Sequence, residues 1–439
     1  MKELLSNLKG DKVIWSFVAL LALFSFMPVF SASSNLAYMG KGTGNTIAYL
    51  VRHFAHLLIG FCMIYWVHKV PYHYFRALSK VLLPIVWILL AYTLFKGTVI
   101  DGANASRWIE VPLMGMTLSF QTSALASIVL MLFVARYLSK KRDVPATFKQ
   151  SVVELWLPVF ITVALVLPAN FSTAALLFVM VAMLTFVGQY PLKHLAAVFG
   201  LAIGGLLIFI LAVKAFPDAF PNRVDTWISR VDNYMSDKPG EDDYQIEKAK
   251  IAIASGGIYG LGPGKSVQKN FLPQSSSDFI YAIIAEEYGL AGALGVLTLY
   301  LLLLFRFIVA AHKANSMFGK LVVVGLGFPI IFQALVNMGV AVEILPVTGQ
   351  TLPLISSGGS SIWMTCIAIG IIIGVTKKEK EIAEELEEKE RRNQALQRMI
   401  DAQIAREEAA EAALLAAESA EAFSIEDKSN PMDAVLKKR

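Results

Sequence analysis

The chain is 439 residues long, with 56% of its residues hydrophobic and only 17% charged. A soluble domain cannot hide that much apolar surface, so the bilayer is the solvent for most of it. The formal net charge of +5 excludes little, because the distribution of cations between loops carries the information. The two cysteines, Cys62 and Cys366, lie inside apolar runs and match no metal spacing, and the six histidines are scattered.

Apolar runs at about 13–32, 46–67, 80–95, 117–137, 152–168, 170–187, 194–213, 279–307, 320–342 and 360–376 predict ten helices able to cross the hydrocarbon. The first lacks a small-residue cleavage site and reads as a retained span. The third is short, and the fifth and sixth nearly abut. Connections 68–80, 136–151, 188–193 and 306–320 hold Lys69, Arg76, Lys80, Arg136, Lys140, Lys141, Arg142, Lys149, Lys193, Arg306, Lys313 and Lys320. The opposite connections hold little beyond Lys41, Lys96 and Arg107, and 343–359 has no Lys or Arg. Positive-inside logic puts both termini in the cytoplasm and a large loop, about 214–278, outside. The expected fold class is an all-α polytopic membrane protein over residues 1–376. Residues 377–439 form a charged tail, with pairs such as Lys380 with Glu384 and Glu388 with Arg392 favouring a solvated helix. Its apolar positions, Ile382, Leu386, Leu396, Ile400 and Ile404, hold no heptad.

The outer loop contains Gly256-Gly-Ile-Tyr-Gly-Leu-Gly-Pro-Gly264-Lys265-Ser266-Val-Gln-Lys269. A phosphate-binding P-loop needs a glycine five places before Gly264, where this chain has Tyr259, and the loop lies on the wrong side for a nucleotide. No nucleotide cofactor is expected. Glycine-rich backbone beside Lys265 and Lys269 nevertheless suits an anion, although a flexible turn with solvated lysines has the same composition. Downstream, Asp278 stands at the mouth of an apolar helix, where it reads either as a helix cap or as a general base. Ser277 is placed to cap equally well. Glu286 and Glu287, two turns further in, read as buried partners. Arg52, His53 and His56 lie in the outer part of the second span, where a charge faces protein, a wet cavity or, by snorkelling, the interface.

Five ordered segments together resemble the SEDS family (FtsW and RodA), polytopic peptidoglycan glycosyltransferases. They are Asn104-Ala-Ser-Arg107-Trp108-Ile109, Leu167-Pro168-Ala-Asn170-Phe-Ser-Thr173-Ala, the stretch 256–269, Leu272 to Gly289, and Leu345-Pro346-Val-Thr348-Gly349-Gln-Thr-Leu-Pro353-Leu-Ile-Ser-Ser-Gly358-Gly359-Ser360-Ser361. The Asp278 segment looks nearer to FtsW than to RodA. The resemblance implies ten spans with both ends inside, polymerisation of lipid II outside the bacterial cytoplasmic membrane, and Asp278 as the essential acid. Because an α-linked diphosphate donor gives a β-1,4 product, the implied transfer inverts and needs a base on the acceptor hydroxyl. Arg107, Lys265, Lys269 and Arg52 are the expected cations for the departing diphosphate, alone or with a divalent cation (Mg2+ or Mn2+) whose ligands are unknown. Gln274, Ser277 and Ser360 are the expected polar substrate contacts. Pro353 and the Ser-Gly-Gly-Ser run imply irregular backbone lining a lipid groove. The implied partners are a class B penicillin-binding protein and other division proteins, at the septum. A lipid II flippase and a RodA-type elongation polymerase are the alternatives.

Three departures from the family's pattern stand out. Its fourth span usually carries Pro-Ser-Glu with Lys three residues on, whereas this chain has Gln121-Thr122-Ser123-Ala124 and Ser127. Loss of both charges together leaves neither stranded. The usual acids at the fifth–sixth hinge and four residues before the catalytic position are Asn170 and Gln274, which puts metal binding through them in doubt.

Overall fold

The computed structural model describes residues 8–36, 46–97, 108–113, 116–141, 147–215, 241–377 and 379–428. Arg107 lies outside these described residues. The elements are α1 (Lys12–Leu36), α2 (Thr46–Val67), α3 (His73–Lys96), β1 (Trp108–Leu113), β2 (Met116–Gln121), α4 (Thr122–Lys141), α5 (Phe148–Val166), α6 (Phe171–Val187), α7 (Leu192–Ala215), α8 (Glu241–Gly256), α9 (Ile280–Lys313), α10 (Met317–Ala341), α11 (Gly359–Val375) and α12 (Glu379–Lys428). Seven of these helices are long and apolar enough to cross a membrane, and α6, α7 and α11 are shorter apolar helices. That makes ten among the described residues, an even number that returns the chain to the side on which it began. The protein is a multi-pass membrane protein.

Two sequence expectations change. The third span is not short: α3 runs for 24 residues, because His73 to Lys80 continue the helix beyond the apolar run. The fourth span starts at Thr122 rather than near 117, since residues 116–121 are a strand paired antiparallel with 108–113 in the register Trp108↔Gln121 to Leu113↔Met116. Apolar content alone does not separate the end of a strand from the start of a span. Within α5, Val152–Trp156 form one π-helical turn just before Pro158, whose missing N–H cannot continue the regular ladder.

Burial ranks the helices. The most apolar stretches of α10 and α4 are 67% and 61% buried, against 22% for α2 and 28% for α3. The first pair therefore forms the centre of the bundle, and the second pair faces lipid. Gly327 lets α10 close on the Phe307 ring of α9, and Gly325 does the same against Leu184 of α6, since a Cβ at either would clash. At the cytoplasmic end Asp11 caps α1 by accepting from Val13 N–H (2.9 Å), pairs with Arg306 Nε (2.6 Å), and donates its own N–H to Thr376 Oγ1 (2.9 Å). One residue thus ties the start of α1 to the ends of α9 and α11.

Residues 1–377 and 378–439 are two separate compact units. In the second, α12 is a single 50-residue helix whose described side chains are exposed. Pairs spaced i,i+4 brace it: Arg391 with Glu387 (3.5 Å), Gln397 with Asp401 (3.1 Å) and Gln403 with Glu407 (3.4 Å).

Asp11→Ala should cost ~1–3 kcal/mol, because it strips both a cap and the partner of a half-buried guanidinium. Lys141→Ala, which breaks a pair whose Glu154 is 42% exposed, should cost less than ~0.5 kcal/mol. Thermal midpoints of the two variants in one detergent measure the contrast.

Candidate active site

At about 1.5 Å per residue the 34 residues of α9 would span about 51 Å, far more than the hydrocarbon thickness. The helix is broken at Gly289, which adopts φ 67° and ψ −169°. Into that break the Gly-rich loop inserts as a backbone clip. Leu261 and Gly262 donate N–H groups to the carbonyls of Glu286 and Glu287 (both 2.9 Å), while Leu290 and Ala291 donate to the carbonyls of Gly257 (2.9 Å) and Ile258 (3.2 Å). Four ladder groups flanking the kink are thereby satisfied, as low-dielectric surroundings demand. The approach is so close that a Cβ at Gly256, Gly260 or Gly289 would fall on a facing carbonyl.

The carboxylates beneath the clip complete it. Glu286 is fully buried and accepts from Ser266 Oγ, from Val267 N–H (2.9 Å) and from Gln268 N–H (3.2 Å). Glu287, 1% exposed, accepts from Ser31 Oγ and from Ser266 N–H (3.3 Å). Consecutive donors just after the glycines thus hold the protein's own Glu286. Both glutamates are buried structural partners, as their position in α9 suggested. Lys269 divides its ammonium between Gly264 O (2.8 Å) and Ser31 Oγ (3.2 Å). Lys265 is exposed on the loop.

Asp278 lies on the turn that leads into α9. Gln274 takes φ 56°, and its carbonyl collects the N–H groups of Ser277 (3.1 Å), Asp278 (3.1 Å) and Phe279 (3.2 Å). Ser277 Oγ is spent on Gln274 Oε1 (2.7 Å). The residue at the cap position of α9 is Phe279, whose side chain makes no cap bond. The Asp278 side chain is half-buried. Its turn rests on a small apolar cluster of Ala32, Ala249, Ala252, Leu272, Phe279 and Ile283, which brings together α1, α8 and α9. The outgoing carbonyls of the turn are pinned in sequence. Ser276 O accepts from Ser357 N–H (2.9 Å), Ser277 O from Ser356 Oγ (2.6 Å) and Asp278 O from Asn337 Nδ2 (2.6 Å).

The segment 342–358 between α10 and α11 is irregular, with Leu352–Ser356 buried, and Tyr300 OH donates to Pro353 O. Ser360 is fully buried and accepts from Gln121 N–H (3.0 Å), so it anchors the end of β2. Asn170 caps α6 through Thr173 N–H (3.1 Å). Arg52 is exposed on α2, whereas His53 is buried against Ser25 Oγ (2.8 Å). A cavity of about 80 Å³ lies between α4, α10 and α11, lined by Ala124, Ser127, Gln333, Ser361 and Thr365 among others. The two positions that lack the family's charged pair both border it. It has room for a few waters and not for a sugar.

Among the described residues no three His, Cys, Asp or Glu side chains group as metal ligands. Around Asp278, Gln274 and Ser277 are bound to each other and the two glutamates are committed to the clip. These residues do not fit a resident divalent cation.

Comparison with known proteins agrees with this architecture. The FtsW/RodA/SpoVE cell cycle protein family matches residues 11–381. The chain belongs to that family. It is 31% identical over 376 residues to the probable peptidoglycan glycosyltransferase FtsW of Nitrosomonas europaea, covering 83% of this chain and 92% of that protein. It is 30% identical over 325 residues to the stage V sporulation protein E of Bacillus subtilis, covering 73% and 84%. Among solved structures, a chain from a peptidoglycan synthase complex that coordinates polymerisation and crosslinking superposes with a TM-score of 0.64 at 25% identity, covering 84% of this chain and 97% of that one. The rod shape determining protein RodA of Thermus thermophilus superposes with a TM-score of 0.58 at 25% identity, covering 84% and 96%. Like FtsW, RodA and SpoVE, this chain is a polytopic helical membrane protein.

Gly289→Ala should cost ~3 kcal/mol or more, because the added Cβ must displace the inserted loop. Gly264→Ala, at φ 80° but in open space, should cost only ~1 kcal/mol of left-handed strain. Trypsin cleavage at Lys265 and Lys269 is the readout: faster in the first variant, near wild type in the second.

Proposed function

We propose that this chain is a peptidoglycan glycosyltransferase that polymerises lipid II into β-1,4 glycan strands by inverting transfer, with Asp278 as the general base. The observation that carries the reading is a half-buried carboxylate on a turn whose carbonyls are pinned by residues of α10 and of the segment 342–358, ahead of a broken helix whose break holds a loop with an exposed Lys265. The match to relatives named for this activity supports it independently.

In the transfer, Asp278 takes the proton of the acceptor sugar's 4-hydroxyl. The oxygen attacks the donor's anomeric carbon from the face opposite the diphosphate, and the C–O bond to the polyprenyl diphosphate breaks. Lys265, Arg52 and Arg107 supply positive charge for the departing anion, and Lys269 adds to the local potential from its tethered place. Gln274 and Ser277 hold the turn, and Ser360 acts from beneath as support. The enzyme works at the outer face of the bacterial cytoplasmic membrane. Its setting is the division septum, beside a class B penicillin-binding protein that crosslinks the product, with other division proteins; the FtsW-named relatives favour septal over elongation duty.

Asp278→Asn, which keeps shape and hydrogen bonding but not basicity, should lower polymerisation of purified lipid II by ~10²–10⁴-fold. Retained polymerisation overturns the mechanism and leaves the flippase reading, which needs no base. Deletion of residues 380–439 should leave polymerisation in vitro within about twofold of wild type, since the tail is a separate unit. Loss of septal localisation in cells would assign the tail to recruitment.

A further inference from the structure

The proposed chemistry needs the Asp278 carboxylate at a defined place, and its turn is irregular backbone whose carbonyls are held from other segments. Of the three side-chain or backbone donors that pin the turn's carbonyls, two come from the irregular segment 342–358 itself. The third, Asn337, comes from α10, the most enclosed helix of the bundle. Its Nδ2 spends one hydrogen on Asp278 O (2.6 Å) and the other on Gln350 O (2.7 Å), so a single atom fastens both irregular segments to the rigid centre. Gln350 in turn donates to Thr173 Oγ1 (2.9 Å) at the start of α6, where Asn170 forms the cap. Asn337 is 1% exposed, and its Oδ1 is buried with no partner among the described residues. Leucine would fill that volume without the orphaned acceptor, so what the asparagine supplies is its pair of donors.

We propose that Asn337 is the positioning residue of the active site, locating Asp278 by clamping its carbonyl to α10 together with that of Gln350. This inference rests on the reading of Asp278 as the base. Asn337 touches neither substrate nor the transferred proton. It acts by holding the backbone from which the Asp278 side chain projects, and a displacement of about 1 Å at a reacting group is enough to cost ~10²-fold in rate.

The test compares Asn337→Leu, Asn337→Ser and Asp278→Asn in full-length protein, by steady-state polymerisation of lipid II. Asn337→Leu removes both donors and the orphan together, and Asn337→Ser keeps one donor for the case in which the leucine variant does not fold. The expected result is a kcat lowered ~10–10²-fold with KM for lipid II within about threefold of wild type, and partial recovery in the serine variant. A merely structural residue would instead lower the active fraction and the thermal midpoint without this split in the surviving enzyme. Wild-type kcat in either folded Asn337 variant, or a loss confined to KM, overturns the proposal. Full activity of Asp278→Asn overturns the functional reading instead, so the two failures are separable.

Discussion

The insertion of the loop 256–262 into the break of α9 is the constraint on which the site depends. A helix cannot open inside or near hydrocarbon unless every freed N–H and C=O finds a partner. Here two donors and two acceptors of the loop take up that role, and three glycines make the approach possible. The break converts one over-long helix into a transmembrane part, 290–313, and a short outer part, 280–288. The short part begins two residues after Asp278, and the inserted loop leaves Lys265 exposed.

The buried glutamates follow from the same constraint. A carboxylate stripped of water is costly unless donors surround it. Glu286 meets three, two of them backbone N–H groups of the clip, and Glu287 meets two, with the Lys269 ammonium one hydroxyl away through Ser31. The negative charge therefore locks the loop as well as being sheltered by it. Lys269 is thereby tied to Gly264 O and Ser31 Oγ, whereas Lys265 is exposed on that loop.

Much of this was legible in the sequence, for reasons that differ by element. Hydropathy located all ten apolar helices because hydrocarbon thickness sets their length. The tail was legible because alternating charges at i,i+4 mean the same thing in isolation as in a structure. The 108–121 hairpin was missed, since Met116 to Phe120 are apolar enough to read as the start of the fourth span. The Gly-rich loop has a structural role that the sequence did not show. Its glycines serve the close backbone approach to α9, and the adjoining Ser266, Val267 and Gln268 hold Glu286, eighteen to twenty residues downstream, which sequence spacing does not reveal.

Asn337 gave no sequence signal at all. An asparagine in an apolar run reads as an isolated polar residue, and nothing local tells that its two donors reach residues 59 and 13 positions away. Gln274 and Ser277 have the opposite history: both stood out as substrate contacts, and both are turned toward each other. The polar bonds described around Asp278 hold its turn, because that residue sits on irregular backbone. Regular helix would have placed Asp278 by its ladder alone; a turn has to be placed by side chains, and that is what Asn337, Ser356 and Gln274 do.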